Sequence, residues 1–198
     1  MTVTRNEVEA FLRDAREAVT AEMASASPGD DIDPLLLVMK ETEPHAMFPL
    51  KGEWMVAGEN AKDFVANHVF RDIARKARAR ALLWVSAAWQ VVLTDEQREV
   101  IRDAGLGPGD LKEKRQLREL GLPTTDDRAA RQEIIQMTFI APGWEAYDHG
   151  VIKRTDGAPP TVEWAPENQR IVADRQVMGG RFPNGMRAAL RIKSEEGL

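Results

Sequence analysis

Residues 80–93 constrain this chain more than any other stretch. The run Ala81-Leu82-Leu83-Trp84-Val85-Ser86-Ala87-Ala88-Trp89-Gln90-Val91-Val92-Leu93 is apolar at both parities instead of alternating. A strand with one wet face alternates apolar and polar side chains, so a run apolar on both sides belongs inside a sheet covered on both faces. Trp84 and Trp89 have opposite parity and are expected on opposite sides of that strand. A fold built around it needs two layers of cover.

The flanking sequence supplies helices for that cover. Thr4 and Glu7 have capping-box spacing with Val3 and Val8 placed as a hydrophobic staple, and Val8, Phe11, Leu12, Ala15, Val19 and Met23 recur with helical period. This predicts an amphipathic helix over about residues 5–26, stopped by Ser27-Pro28-Gly29. A second helix is expected from Gly58 to about Ala79, with Phe64, Val65, Val69, Ile73 and Ala77 inward. Arg71, Arg75, Lys76, Arg78 and Arg80 crowd its last turns, where cations suit the negative end of a helix. Thr94 and Gln97 repeat the capping-box spacing before a third helix that Gly105 stops, and Asp110 to Leu120 predicts a short charged one.

Extended segments are expected at Leu35–Met39, His45–Leu50 and Glu53–Val56, and then in series at Glu133–Ala141, Trp144–Arg154 and Thr161–Trp164. The last three predict a meander. Beyond Asp174 the breakers Gly179-Gly180, Pro183 and Gly185 interrupt periodicity, leaving Met186 to Ile192 room for a final short turn of helix. The expected fold is therefore α/β of the α+β kind: a single mixed, largely antiparallel sheet of about five or six strands with helices packed on it. One crossover is expected from the strand near Pro49 to that near Ala81, through the second helix. The sequence reads as one domain over residues 1–173, with a basic and apolar C-terminal extension over 174–198.

Composition narrows the chemistry. The chain has no Cys, which removes disulfides, thiolate metal sites and cysteine nucleophiles together and fits a reducing compartment. Its 27 Lys and Arg against 32 Asp and Glu give a net charge of −5, too acidic for a protein that coats nucleic acid along its length. No apolar run approaches a membrane span, and Glu7 and Glu9 stand where a secretory leader would be basic and then apolar, so a cytoplasmic location is expected.

Motifs that carry chemistry are incomplete. The three histidines form no H-x-x-x-H pair; His68 neighbours Phe64, Val65 and Asp72 as a packed or Asp-paired residue would. Glu41, Glu43 and His45 at one strand junction and Asp148 and His149 in another strand could compose an oxygen and nitrogen metal site if those strands were neighbours. Ser86 lacks the glycine elbow of a nucleophile, Gly105-Leu106-Gly107-Pro108-Gly109 fits no phosphate-loop pattern, and Gly179-Gly180-Arg181 is a flexible basic corner. Asp30, Asp31 and Asp33 lack the EF-hand offsets and read as turn and capping acids, while Asp126 and Asp127 precede Arg128 and Arg131 as local charge partners.

The leading expectation is a non-catalytic cytoplasmic protein that binds another protein or itself as a homo-oligomer, with no cofactor. Its contact surfaces would be the first helix, through Val8, Phe11, Leu12 and Val19, and the tail, through Val177, Met178, Arg181, Phe182, Met186, Arg187 and Leu190. Two alternatives stand beside it. One is a small metal-assisted hydrolase using Glu41, Glu43, His45, Asp148 and His149. The other is a nucleic-acid-associated factor using the local basic patches of Arg75, Arg78, Arg181 and Arg187, although stacking aromatics are scarce near them.

Overall fold

A computed structural model describes residues 2–30, 32–42, 45–105 and 114–192, in two compact units: residues 1–87 with 135–198, and residues 88–134. The first unit opens with α1 (Arg5–Ser25), where Thr4 Oγ1 accepts the Glu7 N–H and Glu7 accepts the Thr4 N–H in a complete capping box. Strands β1 (Leu35–Lys40) and β2 (Ala46–Pro49) follow, then α2 (Gly52–Val56) and α3 (Glu59–Phe64), a π-helical turn at Val65–Val69, and α4 (Phe70–Ala77). Strand β3 (Ala79–Val91) runs on into the second unit. The chain returns through β4 (Arg131–Ala141), β5 (Trp144–Lys153), β6 (Thr161–Trp164) and β7 (Ile171–Ala173).

These strands form an antiparallel sheet in the order β2-β1-β3-β4-β5-β6, with β7 also paired to β5. The expected meander is β4-β5-β6. The expected crossover is present too: β2 and β3 flank β1, each antiparallel to it, and the connection between them passes through α2 to α4. β5 holds β6 through Gly150–Lys153 and β7 through Glu145–Tyr147, so the three-residue β7 adds a strand too short for the sequence to announce.

Parity sorts the core into two layers. Leu35, Leu37 and Met39 of β1 and Ala81, Leu83 and Val85 of β3 pack with the stripe of α1, whereas Leu36, Val38, Leu82 and Trp84 pack with Val65, Phe70, Ala74 and Met186. Cover on both faces of the central strands is thus observed where the apolar run begins. It weakens along β3, and in the second unit Trp89 is 50% exposed with the Arg131 guanidinium 4.2 Å from its ring centre.

Three local expectations change. Glu53–Val56 is helical, not extended: Gly52 donates its N–H to Asp33 Oδ1 at 2.9 Å, Ala57 bonds back to the Glu53 carbonyl, and Val56, 84% exposed, has no face to bury in a sheet. The long second helix is broken by the π turn and ends at Arg78. The tail forms the nine-residue α7 (Arg181–Ala189) rather than one short turn. Pro183 lies in the first helical turn, where its missing N–H is harmless, and Gly185 has a tertiary reason: a Cβ there would sit 2.5 Å from the Ala66 carbonyl oxygen.

The second unit contains α5 (Asp95–Asp103), begun by the predicted Thr94 and Gln97 capping box, and α6 (Lys114–Glu119), the described part of the expected charged helix. Gly121, at φ 69°, ends α6, and Leu122 bonds back to the Leu117 carbonyl. Leu106 to Gly109, part of the glycine-proline turn, lies outside the described residues.

Candidate functional site

One face of α4 presents Arg71 in its first turn, Arg75 in its last and Arg78 at its C-cap, at helical spacings of four and three, while Phe70 and Ala74 turn into the core. The end of α7 presents Arg191, with Met186 buried and Leu190 and Ile192 packed against the same core. The α4 arginines and Arg191 line one cleft of about 550 Å³, whose remaining lining includes Asp72 and the aliphatic Ala74, Ala79, Ala188, Ala189 and Leu190.

Arg78 and Arg191 share a backbone property as well. At φ 51° and 58° they are the non-glycine residues with left-handed backbone among the described residues. Arg78 donates its N–H to the carbonyls of Ala74 and Arg75, closing α4. Arg191 donates to Ala188 and Ile192 to Arg187, the paired bonds of a Schellman ending on α7. Glycine is the default at such a position, because a side chain there costs roughly 1–2 kcal/mol. Two arginines occupy it here.

The cleft is electrostatically open. Asp72 accepts from Arg75 at 3.2 Å in an exposed pair of little energetic weight. Among the described residues no carboxylate lies within salt-bridge distance of Arg71, Arg78 or Arg191.

Elsewhere the arginines are matched. Asp148, with a fully buried side chain, takes Arg16 through Nε at 2.8 Å and Nη2 at 2.6 Å, Arg170 through Nε at 2.9 Å and the backbone N–H of His149 at 2.9 Å. Burial, followed by this carboxylate, raises the neighbouring Tyr147 hydroxyl above its ordinary pKa. Glu145, of opposite parity on β5, accepts Arg187 Nε at 2.7 Å and the N–H groups of Val177 and Met178. Arg187 also donates to Asn184 Oδ1 and to the Met178 carbonyl.

The residues singled out from sequence fall on both sides of this division. Val8, Phe11, Leu12 and Val19 are buried in the core under α1, so the chain's own sheet covers that stripe. In the tail, Met186 and Arg187 are buried, Phe182 stacks on Trp84 at 4.8 Å, Leu190 packs on the same cluster and Met178 is half-buried, leaving Val177 exposed. Arg181 pairs with Glu59 and, at 2.7 Å, with Asp63; the Arg181 hydrogen bond, then that of Lys62, holds Glu59 below the usual carboxylate range. Of the basic residues proposed for nucleic acid, Arg75 and Arg78 line the open cleft and Arg181 and Arg187 are engaged by carboxylates.

The proposed metal ligands do not assemble among the described residues, where no three His, Asp or Glu side chains come together to hold an ion. Glu41 and His45 line a small cavity of about 230 Å³ with Glu7, Asp14 and Arg80, and the His45 ring meets Phe11 edge-on at 5.0 Å. Asp148 is held by its arginines, His149 stacks on Tyr147, and Glu43 lies outside the described residues. His68 stacks on Phe64, Ser86 accepts from Gln136 Nε2 at 3.1 Å, and Asp30 caps the Ser27 N–H; Asp31 is outside the described residues.

Arg71 and Arg191 are the cleft arginines that the sequence alone did not single out for binding. The run of cations ending α4 pointed to one wall, but nothing local brings α7 beside it. Comparisons with protein-family models, curated proteins and solved structures find no match for this chain. No helix among the described residues is long and apolar enough to cross a membrane.

Proposed function

We propose that this protein is a non-catalytic binding protein that recognises an anionic group on its partner through the cleft between the ends of α4 and α7. The convergence of Arg71, Arg78 and Arg191, from two helices and with no carboxylate in reach among the described residues, carries this reading. Exposed like charges gathered in one concavity raise the local potential and attract a counter-charge. Arginine is the side chain suited to the task, since its planar fork donates two parallel hydrogen bonds to an oxyanion.

A cytoplasmic setting belongs to this reading, motivated by the cysteine-free sequence. Assembly with a second copy through α1 does not, because the chain's own core uses that helix's apolar stripe.

The test is fluorescence anisotropy with labelled inorganic polyphosphate at 50 and 200 mM salt. Binding is expected to weaken with salt and to fall at least thirtyfold in Arg71→Gln/Arg78→Gln/Arg191→Gln. The charge-matched control Arg13→Gln/Arg98→Gln/Arg115→Gln should change it by less than about threefold. No binding, or equal losses in the two triple variants, would sink the proposal. A single-stranded RNA probe bound tighter than polyphosphate, with the same dependence on the cleft arginines, would move the reading to nucleic acid.

A further inference from the structure

We infer that the ligand of the arginine cleft is a phosphate monoester with a compact, non-aromatic organic part. The inference rests on the anion-binding reading of that cleft and adds to it a charge, a geometry and a body.

The charge follows from what surrounds the cavity. Among the described residues, four arginines face one carboxylate, Asp72, an excess of three positive charges. The two helices that end here, α4 at Arg78 and α7 at Leu190, each bring a negative end of roughly half an elementary charge, together about one. About two positive charges remain. A phosphate monoester carries about −1.5 to −2 at neutral pH, whereas a carboxylate, a phosphodiester or a sulfate ester carries one.

The geometry agrees. Three guanidinium groups with no carboxylate in reach among the described residues can each offer a planar pair of donors, and a terminal phosphate has three oxygens to receive them. Lysine, a point charge, would serve mere neutralisation equally well, yet among the described residues every cation lining this cavity is Arg.

The body follows from the floor. Ala74, Ala79, Ala188, Ala189 and Leu190 give the cavity short aliphatic walls, and among the described residues no aromatic ring lines it on which a base could stack. Its volume of about 550 Å³ lies within the range of small-molecule pockets, with space beyond the phosphate for a few carbons.

The left-handed arginines distinguish this role from helix capping alone. If Arg78 and Arg191 served only to end their helices, glycine would do so with less strain. Side chains retained at strained backbone positions are characteristic of ligand sites. The double variant Arg78→Gly/Arg191→Gly therefore separates the two roles, because it relieves backbone strain while removing two of the donors.

The experiment is titration calorimetry of the full chain with hexyl phosphate, hexyl sulfate and inorganic phosphate, with thermal unfolding of each variant alongside. Hexyl phosphate is expected to bind at least tenfold tighter than the other two. Arg78→Gly/Arg191→Gly should weaken it about a hundredfold, near tenfold for each guanidinium removed from the phosphate, while its Tm holds or rises. Vesicles containing phosphatidic acid form a parallel arm: capture by them in preference to the soluble ester makes the source a lipid headgroup, and its absence makes the source a soluble metabolite. Both results uphold the monoester chemistry.

Equal affinity for hexyl sulfate and hexyl phosphate overturns the inference, as does equal affinity for inorganic and hexyl phosphate, or a double-glycine variant that binds like the wild type. If polyphosphate binds through the cleft and hexyl phosphate does not bind, this inference fails and the anion-binding reading stands. If neither binds, both fail.

Discussion

Arg187 and Arg191 stand one helical turn apart at the end of α7 in opposite electrostatic circumstances. Arg187 has a side chain only 1% exposed and is locked onto Glu145, Asn184 and the Met178 carbonyl. Arg191 is exposed and has no carboxylate within reach among the described residues. The same contrast separates Arg16 and Arg170, which share buried Asp148, from Arg71 and Arg78 across the cleft. A buried guanidinium must be matched because an unpaired charge in the interior costs several kcal/mol, so Arg187 and its kind serve the fold. An exposed guanidinium is under no such compulsion. Its grouping with others of the same sign costs a little stability, and that makes the cleft a place to look for binding.

The largest effect is expected at the buried arginines. Arg187→Met leaves the Glu145 carboxylate buried with only the Val177 and Met178 amides, and is expected to cost about 3–5 kcal/mol in urea unfolding. Adding Glu145→Leu should restore part of that loss by removing the orphaned charge, though the two amides then lose their acceptor. A cost below about 1 kcal/mol for the single variant would mean that α7 is held by Phe182 and Met186 alone. Arg16→Met should do less, about 2 kcal/mol, because Arg170 and the His149 N–H remain on Asp148.

How far these features were legible depends on the range of the cause. α1 was readable because its cap and stripe are local, and β3 was readable because an apolar run on both parities admits few other interpretations. α7 was not. Gly180, Pro183 and Gly185 are breakers in isolation, and the helix forms because Gly180 adopts φ 98°, Pro183 falls in the first turn and Gly185 lets α7 approach the Ala66 carbonyl. The last of these is a contact with a helix far away in sequence. The fate of each arginine has the same character: nothing beside Arg187 in the chain points to Glu145, and nothing beside Arg78 points to Arg191. One wall of the cleft could be read from the cationic end of α4, but a site made of two helix ends is a tertiary fact.

A smaller effect comes from the cap of α1. Thr4→Ala should cost about 1 kcal/mol by removing the acceptor for the Glu7 N–H. The Thr4 backbone N–H, followed by its hydroxyl, holds the Glu7 carboxyl below the ordinary value of a glutamate, and Arg80 adds to this. A carboxyl lowered in the folded state contributes stability above its unfolded pKa and loses it as pH falls through the folded value. Unfolding of the wild type should therefore become easier below about pH 4.3, the ordinary glutamate value. Glu7→Gln should flatten that part of the pH profile, and an unchanged slope would remove Glu7 from the account.

The smallest effect on stability is expected in the cleft, where binding and folding separate most cleanly. Arg71→Gln removes an exposed charge with no carboxylate within reach among the described residues, so its unfolding free energy should stay within about 0.5 kcal/mol of the wild type, with any change toward greater stability as repulsion falls. Added hexyl phosphate should raise the Tm of the wild type, because a ligand bound only by the folded state stabilises it. In Arg71→Gln that rise should shrink while the ligand-free Tm stays the same. Arg16→Met should behave in reverse, with a lower ligand-free Tm and an undiminished ligand-dependent rise. If Arg71→Gln destabilised the chain as Arg16→Met does, the cleft arginines would belong to the same structural class as the buried ones, and the distinction between matched and unmatched guanidinium groups would carry no functional meaning here.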